Sequence, residues 1–267
     1  MPNKEEKLTS RNIPLPMKRE IRQRCGFGCV VCGLPLYEYE HMEEWATVKR
    51  HVESEITLLC DQHHKEKTSG LLPKEAVLLA NKNPHNLKKG VSKPYNLHFY
   101  GDSMCIDVGT NVFITKVDKK ENYSVSTPIM IDGIPIITFV IEDGHILLNI
   151  TLFDKKNNVC FAILNNQLIY NTFLWDIQLI GTKITIREKL GSIFFEINFM
   201  PPNRIEITRG KILCNGINME ISNKSVIINQ HTVYSNNIYR DCHIGLGIGS
   251  RSHNRGPCSI VSQIERL

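Results

Sequence analysis

Hydrophobic and polar positions follow one rhythm before about residue 95 and another after it. Before it, apolar residues recur in short stretches at mostly helical spacing. Pro14 and Pro16 stop any earlier helix, and residues 16–24 then place Met17 and Ile21 four apart on one face of a short basic helix. Residues 36–41 and 55–59 read as two strands, residues 63–69 as a helix, and residues 73–82 as a second helix with Pro at its first turn and Ala76, Val77, Leu79 and Ala80 as good formers. Residues 83–94 are polar, with one Gly and two Pro, and read as a linker.

After the linker, Ile, Val, Phe and Thr dominate, and turn signals recur at Asp132-Gly133, Asp143-Gly144, Asn157-Asn158, Asn165-Asn166, Gly181, Gly191, Pro202-Asn203, Arg209-Gly210 and Asn215-Gly216. Short strands at this spacing predict an all-β region. Residues 183–187 and 204–208 alternate polar with apolar, so one face is buried and one is wet. The expected fold is α+β: a small N-terminal domain over 1–82, a linker over 83–94, and an all-β domain over 95–267, sandwich-like with a β-solenoid as the alternative.

The chain of 267 residues is long enough for two domains, and none of its apolar runs nears the roughly 18 residues of a membrane helix. Its first ten residues are charged and lack the apolar core of a signal peptide, which predicts a cytoplasmic protein with no membrane association. The net charge of +5 is uneven: residues 1–100 hold 16 Lys and Arg against 12 Asp and Glu, and the remainder holds 16 against 15. Local positive charge, more than the total, serves phosphate binding. Arg22, Arg24, Lys65 and Lys67 are the candidates for nucleic-acid contact.

Nine cysteines form an odd set with four of them between Cys25 and Cys60, a pattern that favours metal over disulfides. Cys29-Val-Val-Cys32 and Cys60-Asp-Gln-His63 are two knuckles separated by 27 residues, and knuckles of this kind bring lone pairs to one point at little cost in chain entropy. Cys29, Cys32, Cys60 and His63 make a closed Cys3His set for structural Zn2+. The remaining cysteines, from Cys105 to Cys258, are given no function.

Arg22-Gln-Arg-Cys-Gly-Phe-Gly-Cys29-Val-Val-Cys32-Gly, then Tyr39-Glu40-His41, then Glu55-Ile-Thr-Leu-Leu-Cys60-Asp-Gln-His63-His64-Lys65-Glu-Lys67 resembles the zinc-bearing ββα-metal HNH endonucleases over roughly residues 16–82. The resemblance implies a metal-dependent endonuclease acting on double-stranded DNA. In that comparison His41 corresponds to the base that activates water, and its imidazole titrates near neutrality when unperturbed. Glu40 and His64 would hold a catalytic Mg2+ or Mn2+, Glu40 as a hard oxygen and His64 turned about 100° from the zinc ligand His63 on the same helix, with the exchange of the two histidines as the alternative. Glu55 stands where the family has Asn, and as a carboxylate it can brace the catalytic loop or bind metal but cannot donate a hydrogen bond while ionised. Trp45 is expected in the core.

A nuclease domain joined to an unrelated β module also resembles the layout of prokaryotic antiviral defence effectors, in which the β domain would sense, target or assemble, with a homo-oligomer formed through it. Two alternatives stand beside this expectation: a non-catalytic zinc-finger module that binds nucleic acid, and a β-domain ligand receptor or scaffold.

Overall fold

The computed structural model describes residues 12–43, 45–118, 120–169, 175–250 and 258–266. The protein is mixed α+β and mostly β, in two compact units, residues 1–93 and 94–267. Among the described residues, no helix is long and apolar enough to cross a membrane.

The first unit begins with α1 (Leu15–Arg24), which enters from Pro14 with proline in its first turn and ends on Arg22 and Arg24, whose charge suits the helix C-terminus. Its Ile21 is fully buried, and Met17 packs against the same core. A two-stranded antiparallel hairpin follows, β1 (Glu38–His41) against β2 (Ile56–Leu59), with Glu38 opposite Leu59 and His41 opposite Ile56. The loop between them carries a single helical turn, α2 (Trp45–Val48), and a 3-10 turn at Glu53–Glu55. Then come α3 (Asp61–Thr68), α4 (Lys74–Lys82) and α5 (His85–Lys89). All four residues of β2 are buried, and the backbone N–H of Val30 donates to Leu58 O at 3.0 Å, so the first knuckle leans directly on this strand.

Residues 83–94, expected as a linker, belong instead to the first unit as far as Lys93. Asn86 of α5 is fully buried and its Nδ2 donates to Gly26 O at 2.8 Å, while His85 N donates to Val30 O at 2.9 Å. The helix is pinned to the knuckle by polar contacts that a polar, proline-bearing sequence conceals.

In the second unit, two open sheets carry the described strands. One is an antiparallel meander, Tyr123–Ile131, Ile134–Glu142, His145–Phe153, Val159–Leu164 and Gln167–Ile169, extended at its first strand by Ile244–Ile248 and Cys258–Ser262 in parallel. The other runs Asp176–Ile180, Lys183–Lys189, Ser192–Met200, Arg204–Cys214, Ile217–Ile221, Val226–Ile228 and Thr232–Tyr234, with Ser103–Val108 parallel to Arg204–Cys214. Burial alternates residue by residue along His145–Phe153, as the pleat of a half-buried strand requires.

Asp132-Gly133, Asp143-Gly144, Asn165-Asn166 and Asn215-Gly216 all have positive φ at both residues and each joins adjacent antiparallel strands, the geometry of a two-residue hairpin turn. Arg209-Gly210 is different: it lies inside the strand Arg204–Cys214, not in a turn. Pairing shifts there from Glu196–Arg209 to Ile197–Ile207, a β-bulge, and a Cβ on Gly210 would sit 2.7 Å from the Phe195 ring. Glycine at that point serves packing between side chain and backbone.

Candidate metal and catalytic site

Four donor atoms converge where the first knuckle meets the start of α3. Cys29 Sγ and Cys60 Sγ lie 3.4 and 3.2 Å from His63 Nδ1, Cys32 Sγ lies 3.8 Å from Cys60 Sγ, and all four donors fall within 4.8 Å of one another. A tetrahedral ion with Zn–S bonds of about 2.3 Å places sulfurs about 3.8 Å apart, so the set fits a metal ion such as zinc with no position left open. His63 turns Nε2 toward Glu66 Oε2 at 4.0 Å, the outer carboxylate that commonly orients a ligating imidazole. The hydrogen bond with Cys32, and then burial, push the Cys29 thiol up to about 12, while the same bond lowers Cys32. Cys25 is not part of the set. It is fully buried against Thr57, and burial raises its thiol.

The frame depends on two glycines. Gly33 closes the knuckle by donating its N–H to Cys29 O at 2.7 Å with φ 79°, and a Cβ there would lie 2.1 Å from Asn86 Oδ1. Gly28 faces Asn86 Nδ2 at 2.5 Å in the same sense.

Beside this frame, β1 and α3 line a cleft of about 940 Å3 that holds Glu38, Glu40, His41, Trp45, His64 and Lys67. Glu40 Oε2 is 3.0 Å from His64 Nε2, and its Oε1 accepts from Lys67 Nζ. The carboxylate is only 15% exposed. Lys67 also donates to His41 O at 3.1 Å, which makes it part of the cleft's own wiring. Thus His63 and His64, neighbours in sequence, divide between the metal set and the cleft, an assignment that the sequence alone leaves open between the two.

Glu55 is not among the residues that line the cleft with Glu40 and His64. Its carboxylate pairs with Arg50 at 2.9 Å on the surface, and its backbone O accepts the N–H of Met42, the residue after His41, at 2.9 Å. Among the described residues, the Cys3His set is the one place where three or more metal-type ligands converge.

The expected phosphate contacts change most. Arg22 is 4% exposed and donates to Tyr39 Oη at 2.6 Å; Arg24 donates to Glu53 Oε1 and Asn81 Oδ1, each at 2.6 Å. Both hold α1 to the rest of the unit, and these partners offset the cost of taking the buried Arg22 and the partly buried Arg24 out of water. Lys65 alone among the four basic candidates is exposed on α3.

Sequence reasoning missed His51 and misplaced Trp45. His41 Nε2 is 3.2 Å from His51 Nδ1, and Trp45, half-buried rather than a core residue, stacks on His51 at 4.6 Å between ring centroids and 24° between planes. The His41 and Trp45 rings are 5.0 Å apart. A His ten residues from His41 in an irregular loop carries no periodic signal, so only the fold reveals the pair.

No family model matches this chain, and neither the curated proteins nor the solved structures include a significant match.

Proposed function

We propose that the chain is a metal-dependent endonuclease that hydrolyses phosphodiester bonds, with double-stranded DNA as its substrate and the β-rich unit, read as a sandwich, serving sensing, targeting or assembly. The observation that carries this reading is the approach of Glu40 and His64 to 3.0 Å across β1 and α3, beside His41 and on a Cys3His frame. Glu38, Glu40 and Glu43 line the cleft, and its lysines Lys67 and Lys74 are paired with Glu40 and Glu43, so the cleft on its own does not attract a phosphate. A divalent cation, Mg2+ or Mn2+, held by Glu40 and His64 would reverse that balance and neutralise charge on the leaving oxygen.

In this mechanism His41 takes a proton from water as the water oxygen attacks phosphorus. Lys67 keeps Glu40 in place, and its second bond to His41 O links the base to the ligand pair. The same Lys67–Glu40 contact is what favours the second reading, a non-catalytic module that binds nucleic acid, because it occupies an oxygen that a cation needs.

Nicking of supercoiled plasmid with added Mg2+ or Mn2+ separates the two. The wild type is expected to cut, and His41→Ala to cut at least ~100-fold more slowly with unchanged zinc content and DNA affinity. A wild type that leaves plasmid, single-stranded DNA and RNA intact with either cation would overturn the nuclease reading.

A further inference from the structure

We propose that His51 is a positioning residue: its Nδ1 accepts the hydrogen on His41 Nε2 and so assigns His41 Nδ1 as the nitrogen that meets water. The inference rests on the nuclease reading for its chemistry and on the loop geometry for its structure. A general base works best when a third group fixes its ring and its tautomer. The partner for Nε2 here is another imidazole, 3.2 Å away.

The loop between β1 and β2 is built to deliver that ring. Met42 N–H is tied to Glu55 O where the loop begins, and Arg50, beside His51, is tied to the Glu55 carboxylate at 2.9 Å. Lys49 adopts φ 45°, an uncommon left-handed conformation for a lysine, and its N–H donates to Trp45 O at 3.0 Å, which turns the chain back so that residue 51 returns to residue 41. Trp45 then covers the His51 ring from one face. Glu55, at the family's Asn position, therefore braces the loop through its backbone oxygen and through Arg50.

The contact could form with either ring as donor, and the two directions have opposite consequences. If His51 donates from Nδ1, His41 carries its hydrogen on Nδ1 and has no lone pair there. If His41 donates from Nε2, its Nδ1 lone pair takes the proton: a water O–H bond breaks, an N–H bond forms, and the oxygen bonds phosphorus as the bond to the leaving sugar oxygen breaks. With His51 Nδ1 as the acceptor across the 3.2 Å contact, the second arrangement holds and His41 keeps its Nδ1 lone pair.

The test uses the full, zinc-loaded chain and three forms: wild type, His51→Ala, and His51→Asn, whose amide oxygen takes the place of Nδ1 as acceptor. Long-range 15N imidazole spectra, with His41 assigned by its loss in His41→Gln, are expected to show the Nε2–H tautomer in wild type and His51→Asn and a mixture in His51→Ala. Plasmid cleavage by His51→Ala is expected to lose about 10- to 100-fold in kcat, the range for outer-shell partners, with KM nearly unchanged and with most of the rate recovered in His51→Asn. An Nδ1–H tautomer in the wild type, or a His51→Ala protein with unaltered tautomer and kcat, overturns the proposal. Absence of cleavage in the wild type strikes at the nuclease reading instead, and the tautomer comparison, which needs no substrate, still decides the role of His51.

Discussion

Removal of the metal from the Cys3His set should unfold the first unit and leave the second folded. The reason lies in α3. Its sequence, Asp-Gln-His-His-Lys-Glu-Lys-Thr, contains no buried residue, and an eight-residue polar helix is not stable by itself in water. Its attachments are His63 in the metal set and the polar contacts of His64 and Lys67 with Glu40. Among the described residues the core beneath comprises eleven buried residues, two of which, Cys29 and Cys60, belong to the Cys3His set.

Structural zinc contributes roughly 10–16 kcal/mol of apparent folding free energy near neutral pH, as large as the whole stability of a typical domain, about 5–15 kcal/mol. Chelation, or Cys60→Ser, therefore removes more than such a small core can replace. Hydrogen exchange read by mass spectrometry checks this: amides of Leu15–Arg24 and Asp61–Thr68 should lose protection completely, while those of Ile134–Glu142 and His145–Phe153 keep it. Elemental analysis of the starting protein should give one zinc per chain. Protected α3 amides after metal removal, or a Cys60→Ser protein with full zinc, would show that the set is not what holds this unit.

Gly33→Ala should cost more than ~3 kcal/mol and lower zinc retention, since it combines a left-handed φ with a Cβ 2.1 Å from Asn86 Oδ1; a chemical denaturation midpoint within error of the wild type would contradict this. Glu55→Gln should reduce stability by less than ~1 kcal/mol, as its side chain joins only an exposed pair with Arg50, and Glu55→Asn should not exceed wild-type cleavage, because the backbone oxygen that braces Met42 is unchanged; plasmid nicking and thermal melts of both variants measure this. Asn215→Ala should destabilise the second unit by about 1–2 kcal/mol, because Ala is poorly suited to φ 47° and the side-chain bond to Asp132 Oδ2 at 3.0 Å is lost, which urea unfolding followed by tryptophan fluorescence can read.

What could be read along the chain was what depends on near neighbours. The two knuckles, the turns at Asp132-Gly133 and Asn215-Gly216, and α1 behind its prolines each follow from a few consecutive residues whose backbone preference or ligand spacing is local, whereas which of His63 and His64 joins the metal set is decided by the fold. The α+β division follows from the same kind of signal, because hydrophobic period is a property of short windows. Arg22 and Arg24 have the same charge as Lys65, yet only the packing of α1 against Tyr39, Glu53 and Asn81 shows that they are engaged within the unit. The docking of α5 through Asn86, the capture of Glu40 by Lys67, and the meeting of His41 with His51 under Trp45 are likewise tertiary. Each joins residues from separate turns, strands or helices through polar atoms, whose partners are chosen by position in the folded unit and leave no period in the sequence.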